Sequence, residues 1–212
     1  MKIEILNTDQ YHPINSHLLE FKRSLEHLHS VEILRDARDV SAGDILFLVS
    51  CNEKVSSHVL GNFSHSIVLH ASDLPRGRGW SPHIWELIHG NSHITLTMLD
   101  AANEVDLGNI YAKKTIEIPK SALWNEINNL LFAAEIEMMQ FAINNYESLQ
   151  KTPQKLNIKP TYYRKRTSVD SKIDVSKSIS EQFDLIRVCD PNRFPAFFEL
   201  NGTTYKLIVE KI

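Results

Sequence analysis

Hydrophobic positions in the first hundred residues follow a pattern typical of strands separated by helices. Apolar residues alternate over 2–6, take helical spacing over 17–29, and return to an extended pattern at 31–34. Residues 44–50 and 66–70 are apolar on both faces, as expected of central strands covered on either side. The order of these segments predicts an α/β fold.

The middle of the chain predicts one more short helix, two strands and the longest helix. The short helix is expected at 82–89, the strands at 93–99 and 109–118, and the long helix at 122–149. The long helix has an apolar stripe, interpreted as a packing surface. Its members are Leu123, Ile127, Leu130, Leu131, Ala134, Met138 and Phe141.

The composition changes after residue 150. Residues 151–177 contain eight basic and two acidic side chains, interrupted by prolines, and predict a linker that crosses the surface. A helix at 179–186 and two strands at 197–200 and 204–210 follow, the strands joined by an Asn-Gly pair typical of hairpins. The sequence therefore divides into a catalytic core, a linker and a small β-rich subdomain, at residues 1–150, 151–177 and 178–212.

Composition excludes several classes of protein. With 42% hydrophobic and 23% charged residues in a chain of 212, the chain is not disordered as a whole. No apolar run approaches the ~20 residues of a membrane span, and charges at Lys2 and Glu4 argue against a signal peptide. Two cysteines suggest a reducing compartment, so we expect a cytoplasmic protein. A net charge of −3 does not favour a nucleic-acid partner.

Three common chemistries are not supported by the motifs. Gly77 and Gly79 begin a pattern like a dinucleotide fingerprint, but Pro82 replaces its third glycine, so a simple turn is the better interpretation. His89 and His93 could be two metal ligands, but no third ligand has suitable spacing. No Gly-x-Ser-x-Gly nucleophile motif occurs. We therefore expect no metal.

Three segments together have a specific order and spacing, and they begin at His70, Gly79 and Val105. They read His-Ala-Ser-Asp-Leu-Pro, Gly-Trp-Ser-Pro and Val-Asp-Leu-Gly. This order resembles the 10-formyltetrahydrofolate-dependent formyltransferase family, which has an Asn-x-His-x-Ser-x-Leu-Pro segment, an Arg-Gly-x-x-Pro turn and then Asp-x-Gly. Here 36 positions separate His70 from Asp106, which matches the family spacing.

The C-terminal part extends the resemblance. The segments 163–167, 185–187 and 194–198 are similar to the region after the catalytic domain in sugar-nucleotide N-formyltransferases. The sequence that follows His70 looks most like that of enzymes that formylate an amino sugar in bacterial nonulosonic (pseudaminic) acid pathways. Methionyl-tRNA formyltransferases share the architecture but have a full C-terminal β-barrel, and only about 60 residues follow the long helix here.

The resemblance implies a fold and a reaction. The fold is a Rossmann-like formyltransferase core, a mostly parallel sheet with helices on both faces, with a small C-terminal β-rich annex. The reaction transfers a formyl group from 10-formyltetrahydrofolate to the primary amine of a nucleotide-linked amino sugar, such as a UDP-4-amino-4,6-dideoxy sugar. His70 would act on the oxyanion and leaving group. Asp106 would orient and charge the imidazole and, directly or through water, take the amine proton.

The resemblance also implies two sets of binding residues. The folate site would be lined by Ser50, Cys51, Asp100, Ala101, Glu104 and Val105. The nucleotide-sugar would lie near Arg76, Arg78, Trp80, Arg164, Arg193 and Phe194, because arginine forks match phosphate oxygens.

One departure from the family pattern leaves alternatives open. The family's asparagine two residues before the histidine is Val68 here. Ser66, Asn62 or a backbone amide could replace its amide, His70 could hold the oxyanion alone, or the protein could be an inactive member. A glycinamide ribonucleotide formyltransferase, a methionyl-tRNA formyltransferase and a non-catalytic folate- or nucleotide-binding protein are the alternative functions. A homodimer is left open.

Overall fold

A computed structural model describes all 212 residues. The chain forms ten strands and five α-helices. The strands are β1 Lys2–Leu6, β2 Ser30–Leu34, β3 Gly43–Leu48, β4 Phe63–His70, β5 Arg78–Gly79, β6 His93–Asp100, β7 Ile110–Glu117, β8 Tyr162–Tyr163, β9 Ala196–Leu200 and β10 Thr203–Leu207. The helices are α1 Asn15–Leu25, α2 Ser57–Leu60, α3 Pro82–Ile88, α4 Trp124–Asn144 and α5 Ile179–Ile186.

Six strands form the central sheet, in the order β2-β1-β3-β4-β6-β7. The first four are parallel to one another, while β6 is antiparallel to both β4 and β7. Only β6 therefore runs against the others. The predicted α/β core with a mostly parallel sheet is confirmed, and its strand order is that of an open sheet whose carboxyl edge can hold a site.

The two faces of β3 explain its unbroken apolar sequence. Ile45 and Phe47 belong to a core of 29 buried residues that also includes side chains of α1 and α4. Leu46 faces the opposite way, into a smaller buried cluster of five residues flanked by residues of α2. Each face of the strand is thus covered, and alternation of polar with apolar residues is absent because neither face meets water.

Part of the predicted stripe on the long helix is wrong. The helix ends at Asn144, and a 3₁₀ turn follows at Tyr146–Ser148. Ile127, Leu131, Ala134 and Met138 are buried, but two other predicted members face solvent: Leu130 is 38% exposed and Phe141 45% exposed. The helix packs on the sheet along one side only, and both exposed residues lie outside that side.

The C-terminal part forms a small unit that also contacts the core. The strands β9 and β10 form the predicted hairpin, whose Asn201 and Gly202 have the positive φ values of a two-residue turn. Ile173, Ile186, Cys189 and Ala196 make a separate buried cluster. Val188, however, belongs to the main core. No helix combines the length and the apolar character that crossing a bilayer requires.

The segment 151–177, which the sequence predicts to be a linker, has structure of its own. Its strand β8 pairs in parallel with β5, and a 3₁₀ turn forms at Ser168–Ser171. These contacts hold the segment against the carboxyl edge of the sheet, beside the end of β4.

Candidate active site

His70 and Asp106, predicted as a catalytic pair, lie side by side at the end of β4. Nδ1 of His70 is 3.3 Å from Oδ1 of Asp106, and both residues are 8% exposed. The other ring nitrogen, Nε2, is 2.9 Å from the carbonyl oxygen of Gly77. Both ring nitrogens thus face oxygen atoms, and these two contacts fix the orientation of the imidazole ring.

The surroundings of Asp106 favour orientation of His70 over direct removal of a proton. Its second carboxylate oxygen accepts a hydrogen bond of 2.8 Å from the backbone N–H of Gly79. Both carboxylate oxygens are therefore occupied, and the group is buried. The backbone of Asp106 has a φ of 61°, and its carbonyl accepts 2.8 Å from Nε2 of Gln154. A loop conformation this uncommon is held by contacts on both sides.

Gly79 is where β8 touches the catalytic loop. A Cβ at this position would lie 2.3 Å from the carbonyl oxygen of Tyr163, and φ is +94°. Only glycine fits such a close approach with a left-handed backbone. The N–H of Trp80 then donates 3.0 Å to the same Tyr163 oxygen. The Arg-Gly segment of the motif is thus a turn fixed against β8, which aims one N–H at Asp106.

Gln154, which the sequence did not indicate, connects three parts of the site. Besides Asp106, its Nε2 donates 2.9 Å to the carbonyl of Gly108, and its Oε1 accepts 2.8 Å from Nη2 of Arg78. Arg78 in turn donates 3.1 Å to the hydroxyl of Tyr162. Arg78 is only 7% exposed; its Nη1 and Nη2 donate to these contacts, and its buried Nε has no hydrogen-bond partner. It acts here as a brace, and its predicted role in substrate binding has no support from its position.

The predicted folate residues lie on two segments near the carboxyl edge. Ser50 and Cys51 follow β3, next to the end of β4, and are partly exposed. In the loop after β6, Val105 is 71% and Leu107 41% exposed, both flanking Asp106. Exposed apolar side chains beside a buried carboxylate fit a flat aromatic ligand such as a pterin. Ala101 and Glu104 lie on the same loop. The N–H of Ala101 donates a hydrogen bond of 2.7 Å to the backbone carbonyl oxygen of Ser66.

Asp100 is engaged elsewhere. Its carboxylate accepts 2.9 Å from the Tyr111 hydroxyl and 2.7 Å from Nζ of Lys151. Burial, together with Asp100, raises the pKa of Tyr111, so the phenol stays protonated as the donor. The Asp100 side chain thus stabilises the base of the loop and is not free for a ligand.

The predicted acceptor residues are spread over the surface next to β5 and β8. Arg76 and Trp80 are exposed, and Nζ of Lys165 lies 4.6 Å from the Trp80 ring. Arg164 is paired with Asp170 at 2.5 Å and lies over the ring of Trp85.

Two further acceptor candidates lie on the turn before β9. Arg193 pairs with Asp9 at 2.5 Å, which ties this turn to the loop after β1. Phe194, its neighbour, is 41% exposed. Arg187 is fully buried and pairs with Asp184 at 2.7 Å, so its role is packing and not recognition.

Neither side chain considered as a substitute for the missing asparagine is available. The hydroxyl of Ser66 donates 3.0 Å to the carbonyl of Leu60, and Nδ2 of Asn62 donates 3.1 Å to Ser41. Asn62 also lies before β4, at the end opposite His70. Val68 itself is half-buried and lies two residues before His70, on the same face of the strand.

Two histidines outside the predicted pair escaped the sequence analysis because their spacing gives no motif. Burial, with the nearby charges of His70, His12 and Arg166, lowers the pKa of His83 to about 3. Burial and Arg193 lower the pKa of His12 to about 4, against the opposing effect of Asp9. Both imidazoles are neutral at pH 7. No three histidine, cysteine, aspartate or glutamate side chains meet as a metal-binding group.

Comparison with known proteins gives a matching family model and several similar proteins. Residues 6–143 match the model of a family described as "Formyl transferase". The methionyl-tRNA formyltransferase of Clostridium acetobutylicum is 25% identical over 187 residues, which cover 87% of this chain and 59% of that protein. The chain thus spans less than two thirds of the curated relative.

Two solved structures have the same fold. HypX from Aquifex aeolicus in complex with tetrahydrofolic acid superposes with a TM-score of 0.80 at 20% identity, covering 96% of this chain and 36% of that one. A sugar N-formyltransferase from Shewanella sp FDAARGOS_354 superposes with a TM-score of 0.69 at 16% identity, covering 100% and 99%.

Proposed function

This chain belongs to the formyl transferase family, and we propose on that basis that it transfers a formyl group from 10-formyltetrahydrofolate to a primary amine. The observation that carries the proposal is the buried His70–Asp106 pair, 3.3 Å apart at the carboxyl end of β4. Tetrahydrofolic acid in the similar HypX structure supports the choice of donor. When bound, 10-formyltetrahydrofolate supplies the formyl group.

The residues of the chain have distinct roles in this proposal. Ser50, Cys51, Val105 and the loop from Asp100 onward hold the folate, the apolar side chains against its ring and the backbone against its polar edge. His70, as an imidazolium, stabilises the negative charge that develops on the oxygen of the formyl group during transfer. The Nε2–H of His70 can donate to the formyl oxygen once it no longer donates to the carbonyl oxygen of Gly77.

Asp106 orients His70 in this proposal, and its carboxylate balances the positive charge of the imidazolium. Its carboxylate is buried and its oxygens contact His70 and Gly79. As the amine nitrogen bonds to the formyl carbon and the bond from that carbon to the folate nitrogen breaks, His70 gives a proton to the folate nitrogen. The proton lost by the amine passes through water to His70, which ends in the state in which it began.

The acceptor in our proposal is a nucleotide-linked amino sugar, such as a UDP-4-amino-4,6-dideoxy sugar of nonulosonic acid biosynthesis. The Shewanella sugar N-formyltransferase, which this chain covers almost end to end, supports a small-molecule acceptor. Arg76, Trp80, Arg164, Arg193 and Phe194 are our candidates to bind it, because arginine forks match phosphate oxygens and aromatic rings can stack on a base.

Methionyl-tRNA is the second candidate acceptor, because the curated relative is a methionyl-tRNA formyltransferase. Phosphate contacts along a tRNA make binding fall steeply with salt. The net charge of −3 does not favour such contacts. A single assay separates the two candidates.

The assay measures formyl incorporation by mass spectrometry, with 10-formyltetrahydrofolate as donor. Acceptors are UDP-, dTDP- and GDP-linked amino sugars, methionyl-tRNA and glycinamide ribonucleotide. A mass increase of one formyl group on an amino-sugar nucleotide supports the proposal. Formylation of methionyl-tRNA alone would assign the second candidate, and no product from any amine would contradict formyl transfer.

A further inference from the structure

Gln154 is the one half-buried residue in an otherwise exposed stretch. Residues 151–153 and 155–157 are exposed, whereas the side chain of Gln154 contacts the loop that carries Asp106, residues 101–109. In this Asp106 loop the only buried residues are Asp106 and Gly108. Nε2 of Gln154 donates to the carbonyl oxygens of both, at 2.8 and 2.9 Å. Gln154 therefore binds the loop where the loop packs against the rest of the protein.

These two hydrogen bonds hold the backbone of the Asp106 loop. Between residues 102 and 108 the loop backbone has one further hydrogen bond, an internal one of 3.4 Å from the Leu107 N–H to the Glu104 carbonyl. Asp106 also has a φ of 61°, an uncommon value for a residue with a side chain. Gln154 thus supplies the contacts that fix the backbone from which the Asp106 carboxylate extends.

Arg78 determines which end of the Gln154 amide faces the loop. Nη2 of Arg78 donates 2.8 Å to Oε1 of Gln154, and a guanidinium has donors but no acceptor. The carbonyl oxygens of Asp106 and Gly108 can only accept, so they require the amide nitrogen. The contacts on both sides agree on one orientation, with the amide oxygen toward Arg78 and the nitrogen toward the loop.

Arg78 and Gly79, which are adjacent in sequence, reach Asp106 by two different routes. The N–H of Gly79 donates 2.8 Å to Oδ2 of the Asp106 carboxylate. Arg78 acts on the carbonyl of Asp106 through Gln154. Oδ1 of the carboxylate is then left to face Nδ1 of His70 at 3.3 Å. Both the backbone and the side chain of Asp106 are therefore held by one turn and one glutamine.

The residues just before Gln154 anchor it to the central sheet. Thr152 exchanges two backbone hydrogen bonds with Ile110, of 2.7 and 2.9 Å, and Nζ of Lys151 donates 2.7 Å to the Asp100 carboxylate. Asp100 is the last residue of β6 and Ile110 the first of β7, the two strands that the Asp106 loop connects. Gln154 is thus fixed at the base of the loop that it contacts.

We propose that Gln154 is a positioning residue for formyl transfer, whose two hydrogen bonds to the loop keep the Asp106 carboxylate against His70. Gln154 acts through Asp106 and makes no hydrogen bond to His70. Its effect on turnover rests on the proposed function. Its effect on the position of Asp106 does not.

Gln154→Glu tests the proposal, because the variant keeps an acceptor for Arg78 and loses the donor to the loop. We expect kcat to fall by about tenfold or more, since two hydrogen bonds are lost and a negative charge faces two carbonyl oxygens. The Tm should not fall, because the buried Arg78 gains a charged partner. Gln150→Glu, the same change at an exposed position, is the matched control and should equal the wild type in both measurements.

Amide hydrogen exchange, measured by NMR on the full chain, reports the position of Asp106 without turnover. The Gly79 N–H should exchange about tenfold faster in Gln154→Glu, because its acceptor, the Asp106 carboxylate, moves away. The Trp80 N–H, which donates to the Tyr163 carbonyl, should keep its wild-type rate, because Gln154 makes no contact with that pair.

Other results would overturn the proposal. A kcat within about twofold of the wild type would show that Gln154 does not position the pair. A lower kcat with unchanged exchange at Gly79 would show that Gln154 does not act through Asp106. Faster exchange at both Gly79 and Trp80, with a lower Tm, would show that Gln154 only supports the fold. If the wild type formylates no amine, the proposed function fails, and the exchange rates alone decide whether Gln154 positions Asp106.

Discussion

Val68 is the residue at which this chain departs from the motif it otherwise follows. It lies two positions before His70 on the same face of β4, half-buried, and offers no hydrogen-bond donor. The side chains nearest in sequence that could replace an amide, Ser66 and Asn62, donate to other groups. The charge of His70 therefore has to stabilise the developing oxyanion without that neighbour.

This predicts that Val68→Asn increases turnover. Loss of one oxyanion donor in other enzymes costs about 10²–10³ in kcat, so a restored donor should raise kcat by at least about tenfold. Val68→Leu, which adds no donor, is the control and should not raise it. A lower kcat in Val68→Asn would show that another group already occupies the donor position.

Glu135 is a buried carboxyl group outside the site, in the middle of α4. It is 6% exposed, and its Oε2 has no hydrogen-bond partner. Burial raises its pKa to about 8, from 4.5 in an exposed position. The folded state thus holds a proton that the unfolded chain releases between pH 4.5 and 8.

The predicted consequence is a loss of stability with rising pH. Glu135 contributes its full stability below pH 4.5 and loses it progressively up to about pH 8, by on the order of a few kcal/mol. Glu135→Leu should flatten this dependence in urea unfolding at pH 6 and pH 8.5, and be more stable than wild type at pH 8.5. Glu137→Gln, an exposed change on the same helix, should keep the slope. An unchanged slope in Glu135→Leu would show that Glu135 is ionised in the fold.

At the scale of elements, the pairing of β5 with β8 builds the catalytic loop. It brings Gly79 against Tyr163 and aims the Gly79 N–H at Asp106. Motif spacing predicted His70 and Asp106 because both lie in one segment of the core. It could not predict Gln154, since the contact between Gln154 and Arg78 joins residues 76 positions apart. The sequence assigned Arg78 to the substrate for the same reason, because its contacts with Gln154 and Tyr162 leave no sequence pattern.

Gly79→Ala should disrupt the pairing of β5 with β8 while leaving the rest of the fold intact. The new Cβ would collide with the Tyr163 carbonyl at 2.3 Å, so β5 and β8 must part and Asp106 loses a hydrogen bond. We expect a loss of kcat of about tenfold or more, with the circular dichroism of the core unchanged.

The matched control for that change is Gly202→Ala. Gly202 also has a positive φ, but a Cβ there meets nothing within 4 Å. It should cost only about 1 kcal/mol of stability and leave kcat intact. Equal kcat in the two variants would show that the β5–β8 pairing does not position the pair.

The whole molecule combines the three predicted parts more closely than their composition suggests. The division at residues 150 and 177 is a proposal from sequence, and basic, proline-containing segments are usually solvated. Here the segment supplies β8 and Gln154, while Val188 enters the main core. Such burial depends on the tertiary fit of the whole chain and leaves no local pattern.

Cleavage in the linker tests this association. A protease site inserted after Lys155, where Leu156 is fully exposed, should be cut without separating the two fragments, because β8, α5 and Val188 hold them together. The cut protein should elute from size exclusion as one species and separate only in urea. Native separation would show two independent domains joined by a free linker.

The most direct test of the central claim is the rate of tetrahydrofolate release from 10-formyltetrahydrofolate, with and without an amino-sugar nucleotide. The wild type should release it only when the acceptor is present. His70→Asn should lower that rate by about 10²–10⁴ while folate binding persists, and His58→Asn, on the exposed surface of α2, should match the wild type. A His70→Asn variant with most of the wild-type rate would contradict the account, because the chemistry would then lie elsewhere.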